Sequence, residues 1–268
     1  MQIFNSRVLR AGVLMFMVIA LALFAHASFN NASLKGGYSF LLDRWRADVN
    51  MNQEGTIGIM TFDGAGNVTA SYTSISGGVV QTGTASGTYT VNSNGTGAIT
   101  FTTGSNPPHF AITLISSAGG LAHGLELLQT NDNRNLVFSG TAFLQSTTLV
   151  TYTLASVKGN FSLQLNVWDD NVNDLQEGIV GIASFDGAGK VKGSTTDVNG
   201  GIVSMQTFTG TYTVNSDGSG NMSLTAGNDH PQIAFALNSV AAGKAKGAQL
   251  LLTNTTGNKV QSGIALKQ

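Results

Sequence analysis

Val68, Ala70 and Tyr72 alternate with Thr69, Ser71 and Thr73. A period of two puts one set on a covered sheet face and the other toward water, as in a half-buried strand. The alternation returns with Ile99 and Phe101 against Thr100 and Thr102, and with Phe110, Ile112 and Leu114. Between the runs stand Asp63-Gly64-Ala65-Gly66, Gly77-Gly78, Asn92-Ser93-Asn94-Gly95, Gly119-Gly120 and Asn131-Asp132-Asn133-Arg134. Gly, Asn and Asp tolerate the positive φ of tight turns, so these are hairpin connections. The pattern predicts strands over 36–45, 55–62, 67–75 and 79–91, then around Ile99 and around Ile112, and finally over 122–129 and 136–145. No stretch beyond residue 27 carries a capped, sustained 3.6-residue apolar period, so essentially no helix is expected there.

The whole pattern then repeats. Thr61-Phe62-Asp63-Gly64-Ala65-Gly66-Asn67-Val68 returns as Ser184-Phe185-Asp186-Gly187-Ala188-Gly189-Lys190-Val191, 123 positions later. The register holds without a gap from Ala32/Ala155 to Gln145/Gln268. A unit of this length is a domain rather than a solenoid repeat. Short connections favour sequential antiparallel neighbours, and closing an eight-stranded meander removes its two open edges. The expectation is an all-β chain of two tandem eight-stranded antiparallel up-and-down β-barrels, with two β-sandwiches as the alternative. The expected boundaries are a signal peptide over 1–27, barrel repeats over 28–145 and 157–268, and a linker over 146–156. That linker has neither Gly nor Pro and holds Leu149, Val150, Tyr152 and Leu154, so the domains are expected to touch.

The N-terminal stretch departs from this pattern. Arg7 and Arg10 precede an apolar run from Ala11 to Ala25, and Ala25-His26-Ala27 is a small-x-small cleavage signal before Ser28. This is the layout of a helical signal peptide, too short to serve as a spanning helix. It points to a secreted, periplasmic or cell-envelope protein with no transmembrane segment after cleavage. Lys and Arg number 13 against 14 Asp and Glu; without Arg7 and Arg10 the balance is 11 to 14. With no basic cluster, nucleic acid is not an expected partner. Cysteine is absent, which excludes disulfides, thiolate metal sites and Cys nucleophiles.

Candidate chemistry is sparse. Glu54 and Glu177 match across the repeat, and so do the only two tryptophans, Trp45 and Trp168. Both pairs flank the first connection of each repeat. At a barrel mouth, Trp would give a flat apolar platform and Glu a hydrogen-bond acceptor for a small apolar ligand or a glycan. The bland alternative has Trp plugging the barrel end and Glu holding loop backbone. Asp63 and Asp186 precede Gly in a turn, where Asp normally binds its own loop. His109, His123 and His230 face Gln232, Lys246 and Pro107 in register, so no histidine site is duplicated. Asp169-Asp170-Asn171-Val172-Asn173-Asp174 resembles the start of a calcium loop but lacks its sixth-position Gly and twelfth-position Glu. No metal or cofactor is expected.

The Leu34-Lys35-Gly36-Gly37-Tyr38 opening, the Phe-Asp-Gly-Ala-Gly turn and Gly87-Thr88-Tyr89-Thr90-Val91-Asn92 resemble exported bacterial β-repeat proteins of uncharacterised function, over both halves. The meander is similar to lipocalin-like and avidin-like barrels. The lipocalin Gly-x-Trp of the first strand is absent, with Gly36-Gly37-Tyr38 in its neighbourhood. The functional expectation is a non-enzymatic binding module. The alternatives are a structural or adhesive surface protein, an enzyme using Glu54 and Glu177, and a single sixteen-stranded outer-membrane barrel. Against the last stand the two equal halves and the Ala-Leu-Lys-Gln ending, which carries no terminal aromatic.

Overall fold

The computed structural model of the chain describes residues 28–46, 54–118, 120–131, 136–146, 150–169, 177–254 and 259–268. Eight strands come first: β1 (Lys35–Arg46), β2 (Glu54–Asp63), β3 (Asn67–Ser76), β4 (Val79–Val91), β5 (Thr96–Phe101), β6 (His109–Ala118), β7 (Leu121–Gln129) and β8 (Leu136–Leu144). Eight more follow: β9 (Gly159–Asp169), β10 (Glu177–Phe185), β11 (Lys190–Asn199), β12 (Ile202–Val214), β13 (Ser219–Thr225), β14 (Gln232–Asn238), β15 (Gly247–Leu252) and β16 (Lys259–Lys267). Each set of eight forms its own closed antiparallel barrel. In the first, Tyr38 of β1 pairs with Met60 of β2 and with Leu144 of β8. In the second, Leu165 of β9 pairs with Ile179 of β10 and with Gly263 of β16. Closure gives every strand two partners, so neither barrel presents a bare edge. This is neither a pair of sandwiches nor one sixteen-stranded barrel.

Alternation sorts the side chains. Tyr38, Phe40 and Leu42 fill the first lumen, while Leu41 between them faces outward. One end of each barrel is sealed in the same way. Phe62 meets Tyr38 and Tyr89 edge-to-face, with ring centroids 5.4 and 5.0 Å apart. Phe185 meets Phe161 and Tyr212 at 5.5 and 5.1 Å. Such pairs add about 0.5–1.5 kcal/mol each beyond the area they bury. A single 3-10 turn plugs each sealed end, Asn31–Ser33 in the first barrel and Leu154–Val157 in the second. The Asn30 side chain caps the first turn by accepting from the Ala32 N–H at 2.9 Å. Tyr89 Oη donates to the carbonyls of Asn31 and Leu34, both at 2.8 Å, and Tyr212 Oη donates to Leu154 at 3.1 Å. The latter half of the expected linker is thus core: Tyr152 is buried in the second barrel and Leu154 packs against it.

The barrels touch, but through their walls. Leu41, Ile57, Ile59 and Ile75 on the outside of β1–β3 pack against Ala234, Ala236, Leu251 and Val260 on the outside of β14–β16. None of the eight is more than 8% exposed. Gly55 lets the walls approach, since a Cβ there would come within 2.6 Å of Leu251 and 3.2 Å of Val260. Polar groups cross the seam as well. Ser262 Oγ donates to Asp43, and Ser71 Oγ donates to Asp217. Gln145 Nε2 donates to the carbonyls of Asp217 and Leu237, at 3.0 Å each.

Candidate functional site

The Phe-Asp-Gly-Ala-Gly turns lie at the sealed ends and hold themselves together. Asp63 Oδ1 accepts from the N–H groups of Ala65, Gly66 and Asn67 at 2.7–3.0 Å, and Asn67 Nδ2 adds a contact of 2.6 Å to Oδ2. These bonds, the Asn67 side chain's foremost, hold the Asp63 carboxyl down at about 2. Asp186 accepts from Lys190 and Ala188 and is likewise held low. Gly64 and Gly66 supply the positive φ, 82° and 117°. The aspartates bind their own loops, as expected of Asp before Gly.

The opposite ends carry Glu54 and Glu177, and there the two barrels differ. In the first, register places Arg44 opposite Glu54 and Glu54 opposite Ser76. Arg44 is buried and forms an ion pair with Glu54, whose Oε1 also accepts from Ser76 Oγ at 2.9 Å. The guanidinium lies 5.5 Å from the Phe138 ring centroid. Arg44 shares the parity of Tyr38, Phe40 and Leu42, so this cluster closes the lumen over the aromatic core.

In the second barrel the corresponding level is open. A cavity of about 400 Å³ is lined by the inward residues of β9–β16. Its lining departs from the matching positions of the first barrel. Phe40, Tyr72, Phe101, Phe110 and Phe138 of the first barrel become Leu163, Thr195, Leu224, Ile233 and Gln261. Three lining positions run the other way: Ala85 becomes Phe208, Gly83 becomes Gln206 and Thr56 becomes Ile179. The rings are lost from five strands around the space, whereas the residues that grow most, Gln206 and Phe208, share one strand, β12. The floor is apolar, with Leu163, Leu165 and Ile233, while Glu177, Asp197, Asp229 and Gln261 bring polar atoms to the same space. His230 lies at the rim. An asparagine clamps that rim in each barrel. Asn254 Oδ1 accepts from the Gln232 N–H and its Nδ2 donates to the His230 carbonyl, as Asn131 does with His109 and Pro107.

The four residues singled out by sequence therefore fare differently. Glu177 lines the cavity and Glu54 is engaged by Arg44 and Ser76. Trp45 pairs by backbone with Val137 and Trp168 with Val260; their side chains lie outside the described residues. Of the calcium-like run only Asp169 is a strand residue, and 170–176 lie outside the described residues, as do 1–27. Sequence reading missed Arg44, the ring-to-aliphatic exchanges and the asparagine clamps. The signal for the first two was available by comparing inward positions at the 123-residue offset. Among the described residues, no three His, Asp or Glu side chains group as metal ligands, and no helix is long and apolar enough to cross a membrane.

No protein-family model matches the chain, and no curated protein matches it. Among solved structures it is similar to a protein of unknown function from the DUF3598 family of Nostoc punctiforme, at 10% identity and TM-score 0.28 over 88% of this chain and 97% of that one. It is similar to HpuA of Kingella denitrificans, solved in complex with human haemoglobin, at 10% identity and TM-score 0.32 over 85% and 90%. It is also similar to kievitone hydratase of Nectria haematococca, at 7% identity and TM-score 0.28 over 88% and 91%.

Proposed function

We propose that the chain is an exported, non-enzymatic binding protein that arose by duplication. Its second barrel takes a small molecule with an apolar body and a cationic or hydrogen-bond-donating end. The observation that carries this reading is the cavity of about 400 Å³ in the second lumen, at the level where Arg44, Glu54 and Phe138 meet in the first. Its size lies within the usual range of small-molecule sites, about 300–1,000 Å³. Its chemistry is two-sided: aliphatic walls take the apolar body, and the carboxylates of Glu177, Asp197 and Asp229 favour a donor over another anion. One repeat would then be the stable partner and the other the receptor.

The test uses isothermal titration calorimetry on the whole chain. Long-chain amines, matched carboxylic acids and oligosaccharides are titrated in turn. The amine should give a saturable response at least tenfold tighter than the acid. Leu224→Phe with Ile233→Phe restores two of the five rings of the first barrel, and should abolish the response while the protein still melts cooperatively. A response that survives the filled lumen overturns the site, as does none to any of the three classes. The structural or adhesive reading keeps one observation of its own, an apolar band on the outside of the second barrel.

A further inference from the structure

The seam between the barrels joins two unlike faces, and the repeat supplies each face twice. Ile57, Ile59 and Ile75 of the first barrel are buried in the seam; their counterparts Val180, Ile182 and Val198 on the second barrel are 56%, 44% and 41% exposed. Leu251 and Val260 of the second barrel are buried in the seam; their counterparts Leu128 and Val137 on the first are 47% and 51% exposed. The molecule thus holds one used and one free version of each complementary face, the free ones with Gln164 in place of Leu41 and Thr113 in place of Ala236. Glycine carries the same message. A Cβ on Gly55 would strike Leu251, whereas one on its counterpart Gly178 would meet nothing within 4 Å. Clearance for a neighbouring wall exists there with no neighbour in it.

We infer that the free face of the second barrel docks on the free face of the first barrel in a second copy, repeating the internal seam head to tail. The polar pairs largely translate. Asp43 with Ser262 becomes Asn166 with Ser139, and Ser71 with Asp217 becomes Ser194 with Asn94; both new pairs can hydrogen-bond. Gln249 donating to Thr141 becomes Glu126 beside Ile264, a poorer match. The linker also gives the internal seam an effective concentration of about 1 mM that a second copy lacks. The contact between copies is therefore weaker than the seam. Because it is heterologous, each addition leaves a new free face, and growth continues unless the rotation closes a ring.

Sedimentation velocity from about 1 µM to about 1 mM spans that effective concentration. The weight-average mass should at least double across the range. Ile182→Asp blocks one face and Leu128→Asp the other; both positions are exposed, so folding should survive, as a thermal melt will show. Each variant alone should stay monomeric, yet an equal mixture should form a dimer and nothing larger, because each supplies the face the other lacks. Self-association that persists in either variant overturns the inference, as does a mixture that stays monomeric. Register is tested separately in this cysteine-free chain. Gly178→Cys with Leu128→Cys should yield a disulfide-linked ladder on oxidation, whereas either single variant should stop at a dimer. A double variant that also stops at a dimer would overturn the head-to-tail register.

Discussion

Asp43 and Ser262 meet across the seam, with Ser262 Oγ donating to Asp43 Oδ2 at 2.9 Å. Burial pushes the Asp43 carboxyl up, and the Ser262 hydrogen bond only partly offsets it. An acid raised above its unfolded value of about 3.9 holds more protons when folded. Its stabilisation is complete below that value and is lost as pH rises through the folded one. Asp43→Asn keeps the shape and removes the titration. It should raise the melting temperature at neutral pH, and the gain should vanish near the unfolded value. Thermal melts over a pH series check this; a gain independent of pH would show that Asp43 does not titrate in the seam.

The turn aspartates have the opposite sign. Asp63 is held at about 2, so its contribution is present above the unfolded value and disappears as pH falls through about 2. Asp63→Ala should lower stability at neutral pH, with a deficit that shrinks in acid. Asp186→Ala should act in the same direction but less, because Lys190 stands where Asn67 gives Asp63 its side-chain bond. Melts of the two variants at neutral and acid pH would rank them; the reverse order would contradict the hydrogen-bond account.

The two walls of the seam can be uncoupled without touching either lumen. Leu251 is fully buried between the barrels rather than inside one. Leu251→Ala should cost about 2–5 kcal/mol, the range for a buried leucine truncated to alanine. The loss falls on the contact between units, so calorimetry should show the unfolding endotherm broaden or split. A single sharp transition with unchanged midpoint would mean that the seam adds nothing to the stability of either barrel.

How far these features can be read in the chain depends on what local pattern encodes. Strand order and closure follow from alternation such as Val68, Ala70 and Tyr72, and from turn residues such as Asp63-Gly64 that force a reversal. The seam does not follow. Ile57-Gly58-Ile59-Met60 is apolar on both faces, which signals burial on both sides, and here both sides are covered. Val180-Gly181-Ile182-Ala183 carries the same signal with its outer face bare. Periodicity reports that a face wants cover, not whether the chain supplies it. The different linings of the two lumens are likewise invisible in either repeat alone and show only when positions such as Phe110 and Ile233 are set side by side.

The ion pair that closes the first lumen gives the last prediction. Arg44 is buried, and its guanidinium is ion-paired with Glu54. Removing one partner of a buried pair leaves a desolvated charge and costs about 3–5 kcal/mol, whereas replacing both with apolar or neutral groups is often tolerated. Glu54 retains some contact with water, so Glu54→Gln should cost about 3 kcal/mol, the lower end of that range. The second barrel holds Val167 where the first has Arg44. Arg44→Val added to Glu54→Gln should therefore recover stability rather than lose more. The same double variant removes the group that closes the first lumen beneath Phe138, so the first barrel should gain a cavity of its own. Chemical denaturation of wild type, single and double variants measures the recovery. A double variant less stable than Glu54→Gln alone would show that Arg44 is held by its packing on Phe138 rather than by its charge partner.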